Sequence, residues 1–527
     1  MNANNPDRVG SKESILIKYL NKKEKNDIKM GTKRKVIENS FLYIFSSFLF
    51  KAINFLLLPI YTFFLTPEDY GIINLFDAFI QVSIFIVAFS LYASAIRFYT
   101  EYKKDKEKLK IFYGTIINFT FFSGLVFFTI SIIFRELLVT LFFEGISFYP
   151  IVFVALFTLT FVSLHTMHQS ILEGIQQGRK LTLINLVVFI LTVMLKLFFI
   201  GYLQLGALGV LTAQLIINLI YFVFILIDLK RNNLYSFTID FKILIEALKY
   251  SIPIMPHNLS THIAIFASRI FIKNSATLAS VGLYGVAMQF GSLIDLVQAA
   301  VNKAFQPWFF EIMSKMAIED RKESVNFTNL LLLFYSLIYM GVGLFSQEAV
   351  ILMTNEQYVL SWTVIPILVI GFSIKSIYYF YVNVIFFYKQ AVKKLFIATI
   401  SGSLLDIILA YLLVPLYGMY GAAVAFVCAK IIMVLIIIFM SKPYNDIGYQ
   451  IDKMLIIIMP SLLFMGIGLY FSYTKYRMVF NWNNFMYKLV LLIAYICFIY
   501  FTNRKVIDQN IRSGKIQKIL KEKKKKK

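Results

Sequence analysis

From Val36 to Phe501 the chain alternates long apolar runs with short polar links. The runs fall at 36–65, 71–96, 111–134, 148–170, 182–203 and 206–228 in the first half. The second half gives 251–273, 280–305, 326–347, 359–388, 395–415 and 418–440, and two more follow at 453–473 and 485–502. A helix needs roughly 20 residues to cross the hydrocarbon core of a bilayer. Helices satisfy their own backbone polar groups there, which makes them the natural spanning element. The pattern predicts an all-α polytopic membrane protein with about 14 transmembrane helices.

The links carry a sign. Those expected outside, LTPEDY (65–70), YLQLGALG (202–209) and VPLYGMYG (414–421), contain no Lys or Arg. Those expected inside, RFYTEYKKDKEKLK (97–110), GRK (178–180), DLKRNN (228–233), DRK (320–322) and KQAVKK (389–394), are basic. Positive loops stay cytoplasmic, so the bias predicts a multi-pass membrane protein with both ends inside. The predicted organisation is a basic tail at 1–35, a first lobe at 36–230 and an amphipathic linker at 231–250. A second lobe at 251–441, spans 13 and 14 at 442–502 and a basic tail at 503–527 follow.

Composition agrees: 59% of residues are hydrophobic and 15% charged, whereas soluble domains carry about 25% charge. No link is long enough to fold alone, which removes soluble enzymes. The net charge of +23 suits topology and attraction to anionic membrane lipid. Nucleic acid is not an expected partner, because no base-stacking platform interrupts the spans. The 35 leading residues have no apolar core or cleavage site and do not read as a signal peptide. Cys428 and Cys497 sit in apolar helices and form neither a disulfide framework nor a metal spacing.

The chain repeats itself. PEDYGIINLF (67–76) falls on SVGLYGVAMQF (280–290), and LGALGVLTA (205–213) on YGMYGAAVA (417–425), at offsets of 214 and 212. An even number of spans per copy gives both copies one orientation, related by an axis along the membrane normal.

Ionisable residues at membrane depth are functional candidates by default. The cations are Lys51, Lys196, Arg269, Lys303, Lys375 and Lys430, and the anions Asp77, Asp295 and Asp406. The cationic surplus suits an anionic guest, with snorkelling lysines as the alternative. Lys51 lies about 22 Å along the first span, with Asn54 on the same face. The 214-residue shift places Arg269 about one turn from the Lys51 equivalent, so spans one and seven each bring a cation to similar depth. Asn74, Asp77 and Gln81 share a face of span two, and Gln289, Ser292, Asp295 and Asn302 share one of span eight. The expected substrate cavity therefore has Lys51, Asn54, Asp77, Gln81, Arg269, Gln289 and Asp295. Pairing of the cations with Asp77 or Asp295 is the structural alternative. Lys273, at the outer end of span seven, reads as a snorkelling residue.

His257 follows a proline break and is a candidate for coupling. Pro256 is a candidate bend that lets span seven rock, although Pro is also common in a helix's first turn. His165 and His168 read H-x-x-H, but without Cys or H-E-x-x-H context no metal is expected. No Walker A loop is present, so ATP hydrolysis is not expected, and no cofactor is called for.

LLPIYTFFLTPEDYGIINLF (57–76), LKYSIPIMPHNLS (248–260) and YGMYGAAVAF (417–426) carry a resemblance. In this order and frame they resemble the polysaccharide-transporter (Wzx-type) branch of the multidrug/oligosaccharidyl-lipid/polysaccharide exporter superfamily, over about residues 33–502. The resemblance implies a MATE-like fold of two six-helix lobes around a cavity, plus two extra C-terminal helices. It also implies a non-enzymatic flippase working by alternating access on oligosaccharide linked to undecaprenyl pyrophosphate, for surface polysaccharides such as O-antigen. Polysaccharide polymerase or assembly proteins would be partners. A multidrug or organic-cation antiporter of the same superfamily is the first alternative, and a membrane glycan polymerase the second.

Overall fold

The computed structural model describes residues 55, 57–315, 318–392, 394–445 and 447–512. Lys51 and Asn54, with most of the first predicted span, lie outside the described residues. The described residues are all-helical, and twelve of the helices are long and apolar enough to cross a membrane.

The principal helices of the first half are α1 (Leu58–Phe64), α2 (Pro67–Val87), α3 (Lys106–Ile133), α4 (Phe153–Gly174), α5 (Gly178–Leu197) and α6 (Gly206–Arg231). The amphipathic α7 (Phe241–Ser251) leads through a 3₁₀ turn at Ile252–Ile254 into α8 (Met255–Ser275). The second half continues with α9 (Leu278–Lys315), α10 (Ile318–Leu344), α11 (Ser346–Met353), α12 (Ile365–Phe387), α13 (Leu395–Tyr417) and α14 (Met419–Ser441). The last two are α15 (Ile451–Thr474) and α16 (Trp482–Arg512). Of the fourteen predicted spans, the first lies mainly outside the described residues. The seventh is α8, 21 residues long, whose polar residues keep it below the hydropathy of the other twelve.

Local chemistry sets the boundaries. Thr66 and Asp69 form a capping box at the start of α2, with Pro67 in its first turn. Such a box satisfies two orphan N–H groups. The other Asp69 oxygen accepts from the Ala207 N–H at 2.9 Å, which ties α2 to the beginning of α6. Gly206 stands there at φ 55°, where a side chain would meet the Asp69 carboxylate. Its repeat equivalent Gly418 has φ 54°, so both copies open the corresponding helix in the left-handed conformation that glycine tolerates best.

Two boundaries differ from expectation. Span two breaks after Val87, where Phe89 and Ser90 take φ of 48° and 57° before a short helix at Leu91–Arg97. The hydrophobic run conceals this break, because no Gly or Pro occurs from 72 to 96. Span eight continues past 305 through Pro307 to Lys315, about 57 Å at the usual rise. Buried Phe305, Phe309, Ile312 and Met313 hold the extension.

Two lobes result, each with its own core. Phe112, Tyr113, Ile116, Leu164, Met167 and Ile225 are buried in the first, and Tyr339, Trp362, Leu368, Val384 and Ala422 in the second. The lobes meet where α2 crosses α9. A Cβ on Gly71 would lie 2.0 Å from the Leu278 carbonyl oxygen, one on Gly282 would lie 2.0 Å from that of Pro67, and one on Gly285 would meet Asn74. Repeat-equivalent helices thus run parallel against each other, at the end that the loop charges assign to the outside. Small residues are what allow membrane helices to approach this closely.

Candidate functional site

A cavity of about 430 Å³ opens within the first lobe. The capping box fixes where α2 starts, and from there Asn74, Asp77 and Gln81 follow at helical spacing and turn one polar face into the cavity. Lys196 enters from α5, His165 from α4, Gln214 and Asn218 from α6, and Gln289 from α9. Asn74 donates to the Tyr70 carbonyl at 2.8 Å. The Lys196 ammonium lies 5.4 Å from the centre of the Tyr61 ring, another lining residue. Three expected site residues, Asp77, Gln81 and Gln289, therefore share one chamber.

Arg269 stands on α8 within charge range of Asp77, Tyr70 and Tyr284. One guanidinium nitrogen donates to the Ile265 carbonyl one turn back, at 3.0 Å. Nε is buried without a hydrogen-bond partner among the described residues. Burying a donor unsatisfied costs on the order of 1–3 kcal/mol, more when it is charged.

Asp295 is placed elsewhere. It accepts from the Lys375 ammonium at 2.6 Å and from the Tyr379 hydroxyl at 3.0 Å. Lys430 sits 4.8 Å from the centre of the Phe426 ring, near Asp406. Asp406 Oδ1 is buried without a hydrogen-bond partner among the described residues. The cationic surplus expected from sequence is thus reduced inside the second lobe, where two lysines face two aspartates. Lys375 and Lys430 turn inward instead of snorkelling.

The remaining candidates make local contacts. His257 Nδ1 pairs with Thr399 Oγ1 at 2.9 Å and joins α8 to α13. Pro256 falls in the first turn of α8, the conformation proline favours, and the change of helix type lies just before it. Lys273, expected to snorkel, is instead only 8% exposed and donates to the Glu144 carbonyl at 3.2 Å. Packing of α8 against the first lobe covers it.

Both ring nitrogens of each H-x-x-H histidine are engaged. His165 pairs with Asn218 at 3.0 Å and with Gln169 at 3.0 Å, and Gln169 continues to Asn185. His168 bridges the Tyr221 hydroxyl at 2.9 Å and Asp228 at 3.2 Å, and Lys180 also reaches Asp228. The pattern links α4, α5 and α6 from the cavity to the basic end of the lobe. Sequence reasoning missed these partners, because Lys180 and Asp228 appear in it only as loop charges.

Sequence reasoning also missed Lys488, buried inside the fourteenth span. Its ammonium is bidentate on Glu348, at 2.7 and 2.9 Å, and approaches Gln347. A lysine near the start of an apolar run was the available signal.

Comparison with known proteins places this architecture. Among solved structures, the lipid II flippase MurJ in an inward closed conformation matches with a TM-score of 0.65 at 20% identity, covering 90% of this chain and 98% of that one. An inward-facing multidrug resistance MATE family transporter of the MOP superfamily matches at 0.61 and 16% identity, covering 74% and 93%. These likenesses establish the shared fold. The Lsg locus putative protein 1 of Haemophilus influenzae is 23% identical over 369 residues, 68% of this chain and 86% of that protein. The family model described as "Polysaccharide biosynthesis protein" matches residues 36–313. The two-lobed membrane protein described above belongs to the polysaccharide biosynthesis protein family.

Proposed function

We propose that this protein is a flippase that moves undecaprenyl-pyrophosphate-linked oligosaccharide across the bacterial cytoplasmic membrane by alternating access, for surface polysaccharide biosynthesis. The observation that supports the reading is Arg269, a half-buried guanidinium within charge range of Asp77 in the polar chamber, whose buried Nε has no hydrogen-bond partner among the described residues. A pyrophosphate offers the acceptors that a guanidinium fork matches. Lys196 and the amides of Gln81, Gln214 and Gln289 supply further donors for sugar hydroxyls. Lys51 and Asn54 belong to the same proposal through the repeat. The Gly71–Gly282 crossing closes the expected outer end, which suits loading from the cytoplasmic side. His257 and the bend before Pro256 are proposed to take part in coupling and gating. Polysaccharide polymerase or assembly proteins are proposed as partners that receive the translocated unit.

Arg269→Ala is expected to abolish surface polysaccharide while the protein remains in the membrane, and Arg269→Lys to restore part of it. Normal display by both Lys51→Ala and Arg269→Ala overturns the proposal. Asp77, solvent-accessible in the chamber, favours a second reading as an organic-cation exporter. Loss of drug efflux in Asp77→Asn with unchanged surface glycan would select it.

A further inference from the structure

A second cavity, of about 510 Å³, lies far along the chain from the chamber, where the beginning of α10 meets the loop before α15. Arg321, Lys322 and Lys453 line it together with the amides of Asn326, Asn329 and Gln450. No carboxylate lines it among the described residues. Three cations and three amides therefore converge on one cavity.

The loop on its floor is held in shape. The Asn445 side chain donates to the Tyr449 carbonyl at 3.0 Å and accepts from the Tyr449 N–H at 3.2 Å. Gly448 completes the turn at φ 81°, and a Cβ built there would meet nothing within 4 Å, so its backbone faces open space. Tyr449 is buried and shares a hydrogen bond with Thr328 of α10 at 3.2 Å. Burial pushes its hydroxyl up to about 12, so it remains a neutral wall of the pocket. The cavity stands at the ends of two candidate spans, Arg321–Leu344 and Ile451–Thr474, where headgroup phosphates lie. The DRK link puts it on the side that the charge bias assigns to the cytoplasm.

We infer that this pocket binds a phosphate-bearing anion, either the headgroup of an anionic membrane lipid or free phosphate. Lysine and arginine supply the charge, and the amides supply hydrogen bonds to phosphate oxygens that bulk charge alone would not. Basic pockets between membrane helices on this side recognise lipid headgroups by the same chemistry. The site gives α15, which lies outside the internal repeat, a binding role of its own. It is separate from the chamber and does not depend on the flippase reading.

The test uses the full chain, purified in neutral detergent, with binding read as a rise in melting temperature. Phosphatidylglycerol, phosphatidylcholine and inorganic phosphate are titrated separately. The expected result is stabilisation by phosphatidylglycerol or by inorganic phosphate, but not by phosphatidylcholine. A response to phosphatidylglycerol alone assigns the site to a lipid headgroup, and one to inorganic phosphate assigns it to free phosphate. One lysine near a charged surface is worth about five-fold in affinity, so Lys322→Ala/Lys453→Ala should weaken binding roughly thirty-fold. Lys322→Arg/Lys453→Arg should retain it. Lys103→Ala/Lys104→Ala, on another loop of the same side, should leave it unchanged. The inference is overturned if neither anion stabilises the protein, if the pocket alanines bind as the parent does, or if the control pair loses as much.

Discussion

Lys488 and Glu348 form a buried bidentate ion pair at 2.7 and 2.9 Å, between the last helix and the short α11. This pair fixes α15 and α16, which have no counterpart in the repeat, to the second lobe. Gln347 donates to the Tyr476 carbonyl, and Trp362 to that of Arg477 at 2.8 Å, so the link between α15 and α16 is held at the same place. Removing one member of such a pair leaves an uncompensated buried charge, at a cost of about 3–5 kcal/mol. Lys488→Met and Glu348→Leu should each lower the melting temperature in detergent strongly. Their combination should lie closer to the parent than either single variant.

Gly71 has no room for a methyl group, since its Cβ would come 2.0 Å from the Leu278 carbonyl oxygen. Gly71→Ala should therefore disfavour the crossing of α2 with α9. The check is labelling of Asn74→Cys by a membrane-impermeant maleimide, in a background with Cys428 and Cys497 replaced by Ala. Labelling from the outer side should increase with Gly71→Ala and stay at the parent rate with a substitution at open Gly466.

Lys375 holds Asp295 by a 2.6 Å ion pair. Lys375→Ala strands that carboxylate beside Tyr379 in the membrane interior, whereas Lys375→Ala/Asp295→Asn removes the stranded charge. Surface polysaccharide and protein level are expected to fall in the single variant and recover in the double one. Equal loss in both would place Lys375 itself in transport.

Ser90 is a non-glycine residue at φ 57°, buried, at the break after α2. The left-handed conformation costs an L-residue roughly 1–2 kcal/mol. Ser90→Gly should keep the break and raise the melting temperature by a small amount, and Ser90→Val should lower it.

Tyr102 donates to Glu246 at 3.0 Å, which anchors α7 to the first lobe. Burial, and then the Glu246 carboxylate, hold its hydroxyl above the ordinary tyrosine range. A raised folded value means that the stabilisation is fully present below the unfolded value near 10. It declines only as pH rises above that value. Hydrogen exchange of Phe241–Ser251 should be insensitive to this bond from pH 6 to 9, once intrinsic rates are corrected. Protection should fall above pH 10, and Tyr102→Phe should reduce it at every pH.

The sequence by itself determined the all-helical membrane class, the ladder of spans and the internal repeat. Hydropathy, loop charge and turn glycines are local properties, written at fixed spacing along the chain. The polar face of Asn74, Asp77 and Gln81 was legible for the same reason, because helical periodicity alone puts these residues together. Which helix each face meets is a matter of packing, and only the tertiary structure decided it. It drew Asp295 out of the expected cavity and onto Lys375, buried Lys273 against the Glu144 carbonyl, and gave His165 and His168 partners from α6. It also broke span two at Phe89 and Ser90, where neither residue type announces a left-handed turn. Charges in a membrane interior are settled by their nearest partner, and that partner is 80 residues away for Asp295 and 140 for Lys488.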